Sequence, residues 1–206
     1  WHDPPPPPGT IRRYIYEKYQ IFSRTKQGVH WSRSRIGKFT EYTVEVKVKW
    51  ANNTQYIGKE YGLIFDRSGK NDTSAKMYRF NINTTQKSYV LGRLLNGRWE
   101  YSGLPSGDSQ DIKSGPYDTN ILKVVRRGER IELYINDKYQ DFYEDNRLNN
   151  RPARVGVNVV PIRNMRDGDA RFDDFKVCSY ELTISNNNIN LDAHDVFPSG
   201  GITSDP

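Results

Sequence analysis

The chain has 206 residues, enough for one substantial domain with a core of its own. Its 31 Lys and Arg are interleaved with 25 Asp and Glu, giving a net charge of +6 without the basic block of a nucleic-acid-binding arm. No apolar stretch is long enough to cross a membrane, and the single cysteine, Cys178, excludes an intrachain disulfide and a cysteine-based zinc site.

The N-terminal residues have the composition of an arm. Pro4 to Pro8 are consecutive prolines, which form an extended rod and cannot donate hydrogen bonds to a sheet. Residues 1–13 are therefore predicted to be a proline-rich arm. The chain begins without Met, which fits a mature protein cut from its leader or a trimmed fragment.

The next segments are strand-like. Residues 11–22 and 29–31 are predicted as the first two strands, and residues 42–50 form the clearest one, with valines at every second position and charged residues between them. Further strands are predicted at 61–65, 77–83, 88–95 and 98–101. The dipeptide Asn96-Gly97 is typical of a two-residue hairpin turn, and residues 102–117 are predicted as a loop.

Residues 117–180 continue the pattern, with turns predicted at Arg127-Gly128 and Asn136-Asp137. About a dozen short strands separated by turns indicate an all-β, two-sheet antiparallel sandwich spanning residues 14–180, followed by an extended tail over residues 181–206. Cys178 is expected to be buried or half-buried. The inner face is predicted to contain Val44, Val46, Val48, Tyr78, Phe80, Ile131, Leu133 and Ile135.

Seven segments occur in an order that resembles the jelly-roll sandwiches of the concanavalin A-like superfamily, within roughly residues 14–178. They are 42–50 (YTVEVKVKW), 61–65 (YGLIF), 78–83 (YRFNIN), 89–99 (YVLGRLLNGRW), 120–136 (NILKVVRRGERIELYIN), 154–157 (RVGV) and 172–177 (FDDFKV). The chain is most similar to non-catalytic laminin-G-like or glycoside-hydrolase-16-like modules of secreted and surface proteins.

This resemblance implies two curved sheets with sugar or protein ligands, and bound calcium in some relatives. The true hydrolases of the superfamily carry an E-x-D-x-x-E arrangement that this sequence lacks, so hydrolysis is the least favoured function. Adjacent Asp173 and Asp174 face opposite sides of a strand, so a hydrogen-bonding role is expected for them and for Asp66 rather than calcium binding. His2, His30 and His194 lack the spacing of metal ligands, and no metal or other cofactor is expected.

Candidate sugar-binding residues are the aromatic side chains that could stack on sugar rings, together with polar side chains beside them. They are Trp99, Tyr101 and Tyr134, with Arg79, Asn81 and Asn158 predicted as polar neighbours on an outward sheet face. Core packing is the alternative explanation for each aromatic residue. Asn52, Asn71 and Asn83 begin N-glycosylation sequons.

The leading functional hypothesis is a non-catalytic structural subunit, extracellular or on the cell surface, that assembles with copies of itself into a filament or layer. Its tail would add strands to a neighbouring sheet and bury apolar residues, namely Ile184, Leu191, Val196 and Phe197. The tail could instead fold back on its own domain. The alternative function is a carbohydrate-binding module whose partner is a polysaccharide.

Overall fold

The computed structural model describes residues 10–15, 18–23, 30–33, 39–50, 60–69, 75–115, 117–147, 153–160, 168–185 and 188–196. These residues form strands, turns and bends, with no helix among them, and none of their segments is a helix able to cross a membrane. The all-β class predicted from the alternating sequence is confirmed.

The described residues form fifteen strands. They are β1 (Thr10–Ile15), β2 (Lys18–Ser23), β3 (His30–Arg33), β4 (Tyr42–Trp50), β5 (Glu60–Ser68), β6 (Lys76–Asn83), β7 (Ser88–Leu95), β8 (Arg98–Glu100), β9 (Ser106–Asp108), β10 (Thr119–Arg127), β11 (Arg130–Ile135), β12 (Lys138–Glu144), β13 (Arg154–Val160), β14 (Gly168–Ser185) and β15 (Asn188–Val196).

The strands pair into two antiparallel sheets. Sheet I has the order β1-β2-β14-β4-β10-β11-β12, and β15 also pairs with β14. Sheet II has the order β3-β13-β5-β6-β7-β8, and β9 also pairs with β7. The strands β5 to β8 therefore form a meander of chain neighbours, whereas sheet I is assembled from strands far apart in sequence. This is the jelly-roll sandwich that the sequence predicted.

The core lies between the inner faces of the sheets. Every residue predicted for the inner face is fully buried, and all of them belong to one continuous apolar cluster. Phe65 and Tyr78 stack within it at a centroid distance of 5.3 Å. Because side chains alternate across a strand, burial of these residues turns the intervening ones to the outer faces.

The predicted turns are confirmed by backbone conformation. Asn96 and Gly97 have φ values of 50° and 74°, and Asn136 and Asp137 have φ values of 51° and 63°. These left-handed pairs suit the right-handed twist of the strands that they join, and Asn, Asp and Gly tolerate them at low cost. Gly128 also has a positive φ, at 53°.

Three segments differ from the sequence expectation. Residues 11–22 lie in a hairpin, because β1 pairs with β2 from Thr10 opposite Ser23 to Ile15 opposite Lys18. Bulky aromatic and β-branched residues occur in both strands, and the sequence Tyr16-Glu17 between them carries no turn signal. Strand β9 lies inside the predicted loop 102–117. Strand β14 runs without interruption past residue 180, where the tail was predicted to begin.

A buried set of charged residues joins the two sheets at one end of the sandwich. From sheet I, Tyr42 donates a hydrogen bond of 2.6 Å to Asp66, and Arg126 lies 3.0 Å from the same carboxylate. Asp66 belongs to sheet II. This is the hydrogen-bonding role that the sequence favoured for Asp66 over calcium binding.

A second buried carboxylate, Asp145, follows strand β12. Arg93 lies 2.6 Å from it, and Tyr78 donates a short hydrogen bond to it. Burial raises the pKa of Asp145, but hydrogen bonds from Tyr78, Arg147 and Arg93 outweigh that effect and hold the pKa at about 2. Burial raises the pKa of Asp66 despite the opposing effects of Arg126 and Tyr42. Acid therefore removes the stability contributed by Asp145, whereas protonation of Asp66 favours the folded state.

We predict that Asp145→Asn lowers the free energy of unfolding by about 2–4 kcal/mol, because Arg93 loses a buried counter-ion. The folded-state pKa of Asp145 lies below its unfolded-state value of about 3.9, so its stabilisation is complete above that pH and is lost as the pH falls towards 2. Urea unfolding of both proteins should therefore show their stability difference shrinking by about 2 kcal/mol between pH 6 and pH 2. The matched control is exposed Asp108→Asn, and a pH-independent difference would contradict the prediction.

Candidate functional site

The outer face of sheet II carries five of the six residues predicted to bind sugar. Trp99 lies on β8, and Tyr101 follows two positions later on the same side of the chain. Arg79 lies on β6, in register with Gly92 of β7. Side chains from neighbouring strands thus meet at one end of this face.

Trp99 and Tyr101 form an aromatic platform. Their rings are nearly parallel, with an interplanar angle of 19° and centroids 6.5 Å apart. The guanidinium carbon of Arg79 lies 4.6 Å from the Trp99 centroid and 5.2 Å from the Tyr101 centroid. Arg79 therefore supports both rings through cation–π contacts. Tyr101 is 41% exposed, so part of the platform remains open to solvent.

Gly92 makes room for the platform. A Cβ atom at this position would lie 2.7 Å from a ring carbon of Tyr101 and 3.2 Å from Nε of Arg79. The ring of Tyr101 can lie against strand β7 only because the strand has no side chain there. A glycine inside a strand often marks such a close approach.

A carboxylate completes the polar side of the platform. Nη2 of Arg79 donates to the hydroxyl of Tyr101 and lies 3.5 Å from a carboxylate oxygen of Glu60 on β5. Burial raises the pKa of Tyr101, although Arg79 opposes this effect, so the phenol stays neutral at physiological pH. The phenol and the carboxylate thus meet at the same guanidinium nitrogen.

Arg79 is almost completely enclosed. The residue is 5% exposed, and its Nε and Nη1 atoms have no hydrogen-bond partner within the described part of the chain. These atoms are shielded from solvent, so the rings and Glu60 are the groups that a bound molecule would reach. Arg79 acts as the base of the platform.

Asn81 and Asn158 lie on the same outer face but are fully buried. Each side-chain amide donates to the other's carbonyl, at 3.1 Å and 2.9 Å, across Gly62 of β5. The Asn158 amide also donates to the backbone carbonyl of Leu63 at 3.1 Å. Both residues lie on the outer face of sheet II, but their amides are buried and bonded to each other rather than exposed beside the aromatic rings.

Tyr134 lies on the opposite side of the molecule, on the outer face of sheet I. Its hydroxyl donates to Glu132 at 2.8 Å, and its ring meets Tyr139 edge-to-face with centroids 5.7 Å apart. The structure therefore divides the predicted sugar-binding residues between two faces, since β8 and β11 belong to different sheets.

The remaining predicted positions have other surroundings. Asp174 pairs with Lys47 at 2.6 Å, and no group of three or more His, Cys, Asp or Glu side chains that could hold a metal ion occurs among the described residues. Asn83 is buried and caps a turn, accepting from the backbone of Gln86 and donating to its side chain, both at 3.0 Å. Asn52 and Asn71 lie outside the described residues. Cys178 is half-buried, as expected.

Glu60, Gly62 and Gly92 were missed by the sequence analysis. The two glycines carried a usable signal, since each interrupts an otherwise continuous strand pattern. Glu60 carried none, because a single acidic residue at the start of a strand is typical of a solvated surface.

No protein-family model matches this sequence, and no curated protein matches it. Solved structures do match in shape. The carbohydrate binding module CBM66 from Bacillus subtilis is 16% identical, with a TM-score of 0.60, over 82% of this chain and 91% of that one. A protein of unknown function with a galectin-like fold from Bacillus subtilis is 10% identical, with a TM-score of 0.58, over 82% and 86%. A Bacillus licheniformis beta-glucanase is 10% identical, with a TM-score of 0.52, over 81% and 91%.

The chain has the concanavalin A-like jelly-roll fold. The resemblance carried by the seven sequence segments is thereby confirmed at the level of fold. Proteins of this shape include both binding modules and hydrolases, so the function has to be argued from the platform itself.

We predict that Gly62→Ala strongly destabilises the protein, by more than about 3 kcal/mol. A Cβ atom at Gly62 would lie 1.9 Å from the backbone carbonyl oxygen of Phe80, and a sheet backbone cannot yield by the distance required. Gly107→Ala is the matched control, because its nearest neighbour would lie 3.6 Å away. Thermal unfolding would measure both variants. Equal stability of the two would refute the close approach of β5 and β6.

Proposed function

We propose that this protein is a non-catalytic carbohydrate-binding module that binds a neutral polysaccharide on the platform of Trp99 and Tyr101. The observation that carries the proposal is a pair of nearly parallel, partly exposed rings held from below by a buried arginine. The apolar faces of pyranose rings pack well on such surfaces, and a rigid platform loses little conformational freedom on binding.

Polar groups beside the platform would orient the sugar. The carboxylate of Glu60 accepts hydrogen bonds from hydroxyl groups, and the hydroxyl of Tyr101 can accept a further one. Few well-placed polar groups beside an aromatic surface are the usual composition of a small-molecule site. The ligand would thus be held by stacking and oriented by Glu60 and Tyr101.

A neutral ligand suits the charges of the platform. The guanidinium of Arg79 is already compensated by Glu60 and by the two rings, and its other nitrogens are shielded. An anionic sugar would instead approach the Glu60 carboxylate without reaching a free cation. Charge balance therefore favours hydroxyl-rich chains without carboxylate or sulfate groups.

Binding without hydrolysis fits the same face. Among the described residues on the outer side of β5, β6, β7 and β8, Glu60 is the one carboxylate that meets the platform. Retaining glycosidases hold two carboxyl groups about 5 Å apart across the scissile bond. The similarity in shape to CBM66 adds support at the level of fold. We therefore propose an extracellular or cell-surface location, where such a polysaccharide would be met.

We predict that Tyr101→Ala weakens binding to neutral polysaccharide at least about tenfold, because the exposed half of the platform is removed. Affinity electrophoresis in mixed-linkage β-glucan, xylan and glucomannan would measure the loss, with polygalacturonate as the anionic comparison. Trp99 is a less suitable target, since it also packs against a buried cluster of sheet II that contains Leu94.

Two further variants make the test specific. Tyr101→Phe should keep most of the affinity, because the ring remains and only the hydroxyl is lost. Tyr117→Ala, which removes another exposed tyrosine, should bind like the unchanged protein. Equal binding by Tyr101→Ala and the unchanged protein, or binding to polygalacturonate alone at 150 mM salt, would contradict the proposal.

Self-assembly is a second candidate, favoured by the C-terminal strands. Residues 181–185 of β14 are paired with β15 and with no other described strand, so they form a two-stranded ribbon beyond sheet I. Its register sets Leu182 opposite Leu191 and Ile184 opposite Ile189, all on one face of the ribbon. We propose that copies associate through this apolar face.

The other members of the predicted assembly tail are placed differently. Val196 lies opposite Val177, a core residue, and so belongs to the base of the ribbon. Phe197 lies outside the described residues. Ribbon-to-ribbon packing would therefore depend on the four Leu and Ile positions.

We predict that the double variant Leu182→Ser/Leu191→Ser is monomeric at concentrations where the unchanged protein associates. The two residues are cross-strand neighbours, so their replacement removes half of the apolar positions at one step. Sedimentation velocity and electron microscopy would measure assembly. Thr183→Ala/Asn190→Ala, on the opposite face, is the control. If the Leu182→Ser/Leu191→Ser variant forms filaments as readily as this control, the apolar ribbon face is not the interface.

A further inference from the structure

A second aromatic surface lies on the opposite sheet. It consists of Tyr134 on β11 with Tyr139 and Phe142 on β12, and we call it the sheet I surface. Tyr139 is 51% exposed and Phe142 is 42% exposed. The described residues include four large exposed apolar side chains, and two of them lie here. Exposed aromatic side chains gathered on one strand mark a contact surface more often than isolated ones do.

Polar partners hold these rings in place. The guanidinium carbon of Arg130 lies 4.0 Å from the Phe142 centroid, and its Nε donates to Glu132 at 2.8 Å. Hydrogen bonds from Arg130 and Tyr134 lower the pKa of Glu132, so this carboxylate is ionised at physiological pH. The surface therefore repeats the chemistry of the Trp99 and Tyr101 platform, with rings, a guanidinium and a carboxylate in mutual contact.

Two cations of this surface are paired with carboxylates. Nζ of Lys123 lies 4.9 Å from the Tyr134 centroid and 3.1 Å from Asp137, and Arg130 is paired with Glu132. Lys123 and Arg130 thus each have a carboxylate within reach, while Arg127 on the same face of β10 lies over the Tyr180 ring. An anionic polymer or an acidic protein would have to compete with these carboxylates, whereas the hydroxyl groups of a neutral sugar can use both members of each pair.

Strand pairing with a second copy is disfavoured at this edge. β12 is the outermost strand of sheet I, but it carries charged residues at Lys138, Asp141 and Glu144, and the β11–β12 ladder has an irregularity at Leu133/Tyr134. Charged side chains and irregularities on an edge strand oppose edge-to-edge association. The exposed rings, rather than the backbone, are the groups available to a partner.

We propose that the sheet I surface is a second binding site for neutral polysaccharide, so that one protein molecule binds two chains and cross-links them. The two sites lie on the outer faces of opposite sheets and therefore face away from each other. One chain cannot lie flat on both faces. This inference rests on the proposed function of the Trp99 and Tyr101 platform and adds a second, separable site.

Cross-linking is tested with three variants of the full chain. Tyr101→Ala removes the first site, Tyr139→Ala/Phe142→Ala removes the second, and Tyr117→Ala is the matched control at an exposed tyrosine. Mixed-linkage β-glucan, xylan and glucomannan would be titrated with each protein. Light scattering measures cross-linking, and affinity electrophoresis measures binding.

The unchanged protein and the control should raise the scattering, and excess protein should reverse the rise as each chain becomes saturated. Each single-site variant should still bind, at least about tenfold more weakly, but without a rise in scattering, because bivalent avidity is lost. Unchanged scattering with Tyr139→Ala/Phe142→Ala would overturn this inference and leave the proposed function intact. Unchanged binding by Tyr101→Ala would instead overturn the proposed function.

Sedimentation velocity without polysaccharide tests whether a second copy of the chain, rather than a sugar, covers the sheet I surface. The protein is expected to have the same oligomeric state with and without Tyr139→Ala/Phe142→Ala. A dimer that this variant converts to a monomer would overturn the inference, because the sheet I surface would then be an interface between two copies of the chain.

Discussion

The packing of the two inner faces against each other is the interaction on which the rest of this structure depends. Valines of β4 and β10 meet Tyr78 and Phe80 of β6 in a single apolar cluster. Burial of that cluster is the main favourable term in folding, and it leaves no freedom in the direction of the intervening residues. Asp66 and Asp145 hold the sheets together at one end through buried partners of opposite charge. The outer faces are thereby supported on a rigid base and remain available for recognition.

The outer face of sheet II depends equally on two positions without side chains. Gly92 lets Tyr101 lie against β7, and Gly62 lets Asn81 and Asn158 bond to each other across β5. The asparagine pair closes part of the face, whereas Trp99 and Tyr101 leave the other part open. The accessible area is therefore small, rigid and aromatic at one end. A surface of this kind gains its affinity from preorganisation rather than from size.

Much of the fold could be predicted from alternation and turn chemistry. The valines of β4 and the Asn96-Gly97 turn carry local signals that the structure confirms. The reversal between β1 and β2 could not be predicted, since the sequence between the two strands carries no turn residue. The candidate site was harder to predict than the fold. Alternation shows that Trp99 and Tyr134 both point outward, but not that they belong to different sheets. Sheet membership and the cover over Asn81 depend on pairing between distant segments, which a local pattern does not contain.

Strand β14 has a mechanical consequence. Its 18 residues run without interruption from the sandwich into the C-terminal ribbon, and residues 170–173 and 176–179 are paired with β4 on one side. A pulling force applied to the ribbon along its axis is transmitted directly to that ladder. The load then falls on many hydrogen bonds at once, in shear, instead of opening them one after another. This strand gives the ribbon an anchorage suited to tension.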